Sequence, residues 1–141
     1  MKKLYFLFLF IATVSSVYAQ YNTGDIQLNA SLSLIDDDAK LNFTLFKSDI
    51  SATYSVSTAK IDSWSVQFGM RAGDIYIALE IAKLTQKPAD EVVKVYQANK
   101  TKGWGAISKE LGIKPGSPEF HALKDGADTR TKKGKGKGKP K

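Results

Sequence analysis

The sequence predicts an α+β fold: a four-stranded antiparallel sheet followed by a helical C-terminal half of about four helices. Three observations point there. Apolar and polar residues alternate with period two across about 25–68. The period becomes helical from about Ala72, and from Gly126 onward Ala127 is the last apolar residue. These shifts divide the chain into a leader (1–19), one α+β domain (20–125) and a disordered basic tail (126–141).

The strands are read from the alternation. Ile26, Leu28, Ala30, Leu32 and Leu34 alternate with Gln27, Asn29, Ser31 and Ser33; Leu41, Phe43 and Leu45 alternate with Asn42 and Thr44. Ile50, Ala52, Tyr54 and Val56, then Trp64, Val66 and Phe68, repeat the pattern. Asp36-Asp37-Asp38, Lys47-Ser48-Asp49 and Thr58-Ala59-Lys60 supply polar turns between them. Such alternation suits a sheet with one buried face. The triple aspartate lacks the spaced ligands and closing Glu of a calcium loop and reads as a solvated turn.

From Ala72 the spacing is helical. Ile75, Ala78, Leu79 and Ala82 share one face and Ile77, Ile81 and Leu84 another, so this helix is apolar around most of its circumference and should be central. A second helix starts at Pro88, with Asp90 and Glu91 at its positive end and Ala89, Val92, Val93 and Tyr96 as its stripe. Trp104, Ile107 and Leu111 form one face of a third. Gly112 ends it in a left-handed conformation and Ile113 folds back toward Ile107. Ser117-Pro118-Glu119 starts a fourth, with Phe120 and Leu123 on its buried side. Trp64, Trp104, Ile77, Leu79 and Phe120 are expected in one core. Gly103 and Gly105 flank Trp104, where another backbone can approach the indole.

Residues 103–124, Gly-Trp-Gly-Ala-Ile-Ser-Lys-Glu-Leu-Gly-Ile-Lys-Pro-Gly-Ser-Pro-Glu-Phe-His-Ala-Leu-Lys, resemble the C-terminal signature of a family of small secreted Gram-negative bacterial proteins. The resemblance is strongest over 73–124. It implies a signal peptide, a Lys/Gly-rich tail and an envelope location, and it implies no catalytic residue.

The N-terminus agrees with that location. Lys2-Lys3 precede an apolar run from Leu4 to Val14, and Val17-Tyr18-Ala19 forms a small-x-small cleavage site. The expected mature chain starts at Gln20 and is periplasmic or secreted. No second apolar run follows, so it is not expected to be an integral membrane protein.

Charge is segregated. Residues 129–141 hold seven Lys/Arg and no acid, whereas 20–128 hold twelve Lys/Arg and fourteen Asp/Glu. The basic character therefore belongs to the tail, and Lys132, Lys133, Lys135, Lys137, Lys139 and Lys141 are the candidate polyanion-binding residues. Alternate residues of an extended chain are about 7 Å apart. That is within the Debye length of about 8 Å at physiological salt, so these charges would act together. The partners expected through the tail are anionic envelope polymers or lipids, with nucleic acid as the second choice.

No catalytic motif is present. The chain has no cysteine and one histidine, His121, with no second ligand near it in sequence. Neither metal nor cofactor is expected. A ligand pocket beside Trp104 containing His121 is the alternative to a purely structural role for both. Ala106 to Ile113 also resembles the first helix and turn of a DNA-binding helix-turn-helix. The reader helix would then offer Glu119, His121 and Lys124, a poor match to phosphates and base edges. The leading reading is a non-catalytic exported envelope protein whose tail binds polyanions and whose body has an unknown partner. The alternative is an extracellular or periplasmic nucleic-acid-binding protein.

Overall fold

The computed structural model describes residues 20–136. Among them there is no strand, and the expected four-stranded sheet is replaced by three helices. The order is α1 (Ile26–Leu41), α2 (Phe43–Tyr54), α3 (Thr58–Phe68), α4 (Ala72–Thr85), α5 (Ala89–Ala98), a 3₁₀ turn (Lys100–Lys102), α6 (Gly103–Glu110) and α7 (Pro118–Gly136). The α+β expectation is thus corrected to all-α. The leader (1–19) and Lys137, Lys139 and Lys141 lie outside the described residues.

The physical reason for the correction is in the buried set. A period-two run contains every fourth residue, so Leu28 and Leu32 serve a strand and a helix equally. Ile35 and Ala39 complete an i, i+4, i+7, i+11 stripe, and all four are buried. The leftover members of the alternation, Ile26, Leu34 and Leu41, are exposed. Phe43, Phe46, Ile50 and Tyr54 give α2 the same kind of stripe; Ile61, Trp64 and Phe68 do so for α3. The true breaks are capped. Asp25 Oδ1 accepts from Leu28 N at 2.8 Å, Asn42 Oδ1 from Leu45 N at 2.9 Å, and Ser57 Oγ from Lys60 N at 3.2 Å. Ser55 and Gly69, both left-handed, end α2 and α3.

The C-terminal helices start where expected. α4 is the central element: every residue from Ala72 to Ala82 is buried. It touches α1, α2, α3, α5 and α7. Gly112 takes φ +97°, and Ile113 N donates to Ser108 O at 2.8 Å, which folds Ile113 into the core beside Ile107. Ser117 Oγ accepts from Phe120 N at 3.1 Å. Trp64, Trp104, Ile77 and Leu79 are buried in one cluster, with Phe120 partly buried against it.

The chain does not leave the fold at residue 126. α7 continues to Gly136, and Leu123, Ala127 and Thr131 are buried along it. Gly134, itself exposed, continues the same helix face: a methyl group there would lie 2.5 Å from Asp38 Oδ2. This is an i, i+4, i+8, i+11 face of mostly small residues, so α7 packs closely without the large side chains that advertise a core helix. Lys124 pairs with Asp25 at 2.9 Å near the start of α1. Together with the Gly134–Asp38 approach near the other end, this makes α1 and α7 parallel. Among the described residues the buried positions run from Tyr21 to Thr131.

Candidate functional site

Two places were singled out by the sequence, the surroundings of Trp104 and the basic C-terminal end. Trp104 borders a recess of about 190 Å³, lined also by Gln20, Tyr21, Arg71, Asp74, Tyr96 and Lys100. His121 is not part of it. That side chain is exposed in the first turn of α7, because Leu123 is the residue that faces inward there. Trp104 and His121 do not line the same recess.

The recess is a polar joint. Trp104 Nε1 donates to Asp74 Oδ1 at 2.8 Å, and its ring stacks on Tyr96 with centroids 5.0 Å apart. Asp74 Oδ2 accepts from Arg71 N at 2.9 Å. Asp36, from α1, accepts from Gly73 N at 2.7 Å and from Tyr21 Oη at 2.8 and 2.9 Å. Two carboxylates thus sit at the N-terminal end of α4, where free N–H groups and the helix dipole favour negative charge. Arg71 lies 3.9 Å over the Tyr21 ring. The chain entering α1 seals the other side: Gly105 N donates to Asn22 O at 2.9 Å, and a methyl group at Gly103 would lie 2.8 Å from that oxygen. This is the close backbone approach that the two glycines beside Trp104 suggest.

Burial, opposed in part by the Gly73 N–H and the Tyr21 hydroxyl, raises the Asp36 carboxyl above its ordinary range. Burial, then the charge of Asp74, pushes Tyr96 up to about 12. Tyr21 moves in the same direction, first by burial and then by the Asp74 and Asp36 charges. The phenols bordering the recess are therefore neutral donors at physiological pH. No buried side-chain polar atom among the described residues lacks a partner. Tyr21, Asp36, Arg71 and Asp74 escaped the sequence reading because no periodicity marks a buried polar residue. A larger hollow of about 330 Å³ lies between α2, α4 and α5, bordered by Tyr54, Ser55, Lys83 and Lys87. Its lysines are committed to Glu80 at 3.0 Å and Glu91 at 3.1 Å. Among the described residues no group of three or more His, Cys, Asp or Glu is placed to hold a metal ion.

The basic end is built differently. Arg130 belongs to the body: its guanidinium pairs with Asp49 at 2.9 Å and lies 5.4 Å from the Phe46 ring centroid and 5.6 Å from that of Tyr76. Thr131 is buried, and its hydroxyl donates to Asp128 O at 2.8 Å. Lys132 pairs with Asp128 at 2.7 Å on the solvent side, and that hydrogen bond raises its pKa. Lys133 is exposed, and Lys135 falls in the last turn of α7. The packed face of the helix thus ends as its cationic face begins. No described helix is long and apolar enough to cross a membrane.

No protein-family model, curated protein or solved structure matches the chain.

Proposed function

We propose that this is a non-catalytic exported envelope protein whose basic C-terminal end holds the folded body to polyanions. The observation that carries the reading is the segregation of charge: six Lys and no acid in 132–141, beyond a body, 20–131, in which fourteen acids outnumber thirteen bases. α7 gives that end a fixed origin, because Leu123, Ala127 and Thr131 anchor the helix up to the point where the lysine run starts. Each lysine close to an anionic surface contributes about 1 kcal/mol, less the cost of ordering it. The export element rests on the leader in residues 1–19 and on the resemblance of 103–124 to small secreted proteins.

The corner reading fits a nucleic-acid role poorly. Leu123 and Ala127 of the would-be reader helix face the core, and its exposed positions start with Glu119, His121 and Asp125. The test is the salt concentration that elutes residues 20–141 from an immobilised sulfated polysaccharide. The comparison is a variant with Lys133, Lys135, Lys137, Lys139 and Lys141 changed to Gln. The wild-type chain should elute at clearly higher salt while both melt alike. Co-elution of the two would remove the basis for the proposal.

A further inference from the structure

We infer that the partner of the basic end is an anionic lipid bilayer, engaged jointly by the lysines of α7 and by exposed leucines at the α1–α2 corner. The inference rests on the polyanion reading above and names its target. Leu34, Asp38 and Leu41 are spaced i, i+4 and i+7, so they share one face of α1. Asp38 is the residue against which Gly134 of α7 packs. Leu34 and Leu41 therefore lie on the face of α1 that carries Asp38, the side chain nearest to Gly134.

Leu41 is 87% exposed, and Leu45, in the first turn of α2, is 54% exposed. Arg130 ties α2 to α7 through Asp49 and Phe46, which keeps the corner beside the basic end. Lys40 stands in the last turn of α1, paired with Asp37 at 3.5 Å. Exposed leucines next to a dense cationic run are the two requirements of a surface that lies on a membrane: apolar side chains to enter the acyl boundary and cations to meet headgroup phosphates. Nucleic acid and sulfated or phosphorylated polymers satisfy the lysines but offer nothing to Leu41 and Leu45. The acids at the corner, Asp37 and Asp38, are held against Lys40 and α7.

The experiment measures binding of residues 20–141 to phosphatidylcholine vesicles, to vesicles of phosphatidylcholine with phosphatidylglycerol, and to a DNA duplex. The variant is Leu41→Ser with Leu45→Ser, both at exposed positions, with folding checked by thermal melt. Wild type should bind the anionic vesicles and not the neutral ones. The double variant should bind anionic vesicles about ten-fold or more weakly, from the apolar area withdrawn from the acyl boundary. Its binding to DNA should be unchanged. Equal vesicle binding by variant and wild type overturns the membrane surface while leaving the polyanion reading standing. Wild type that binds neither anionic vesicles nor DNA overturns both.

Discussion

Gly73→Ala should destabilise the protein by about 3 kcal/mol, although alanine is the better helix former by up to about 1 kcal/mol. Gly73 occupies the first turn of α4, and its N–H is held by Asp36 of α1. A methyl group there would lie 2.3 Å from Tyr21 Oη, 2.7 Å from Tyr21 Cζ and 2.8 Å from the backbone oxygen of Leu32. The tyrosine could swing away only by giving up its hydrogen bonds to Asp36, and bonds of this charged kind are worth about 1.5–3 kcal/mol. The Leu32 oxygen cannot swing at all, so α1 and α4 must separate, at a further cost of about 1–3 kcal/mol. The sum, less the propensity gain, leaves about 3 kcal/mol, or roughly 10–15 °C in melting temperature for a domain of this size. Urea and thermal melts of 20–141 measure it. Tyr21→Ala, costly by itself, should shrink the penalty of Gly73→Ala measured on top of it, because one of the two obstacles has gone. A Gly73→Ala protein as stable as wild type, or more so, refutes the close approach of α4 to α1 and Tyr21.

Trp104→Ala should cost about 3–5 kcal/mol in urea melts, the usual range for a buried aromatic, since it removes both the Tyr96 stack and the donor to Asp74. Truncation after residue 128 should lower stability by about 2 kcal/mol, because it strips Thr131 and Arg130 from the packed face, whereas truncation after 136 should leave the melting temperature unchanged. Asp25→Asn should cost under about 1 kcal/mol at neutral pH, as Asn caps a helix equally well and only the Lys124 partner is lost. The Leu28 N–H, and with it Lys124, holds the Asp25 carboxyl below its unfolded value of about 3.9. Its contribution is therefore present above about pH 4 and lost as pH falls through the folded value, so the variant's acid limb should be flatter than that of wild type. Asp36, raised by burial, acts in the opposite sense and is common to both proteins.

The helices from Ala72 onward were legible because their signals are local: Pro88, Gly112, Ser117 and Pro118 punctuate them, and Ile75 to Ala82 is too apolar to be anything but central. The first half misleads for an equally physical reason. Alternate leucines over 26–34 fit a strand, and what decides for a helix is the burial of Ser31 and Asp36, which a polarity pattern assigns to solvent. Asp36-Asp37-Asp38 has the composition of a turn, yet Asp36 is held inside by Tyr21 and the N-terminal end of α4, residues far away in sequence. The same holds for the end of α7. Thr131 is buried and Gly134 comes close to the Asp38 side chain of α1, and composition beyond residue 125 carries no trace of that. Of the two candidate pocket residues, Trp104 borders a recess and His121 lies apart from it. Nothing in the order of residues shows that Arg71 and Asp74 border it.

Polyanion binding by the basic end is tested most directly by the salt dependence of binding to a DNA duplex used as a plain polyanion. The wild-type 20–141 chain is compared with the variant carrying Gln at 133, 135, 137, 139 and 141. Each cation neutralising a phosphate contributes about 0.9 to the slope of log affinity against log salt. A steep slope is expected for wild type, a slope shallower by about 4.5 for the variant, and the same melting temperature for both. Equal slopes and affinities in the two proteins would place the anion-binding surface on the folded body and contradict capture by the basic end.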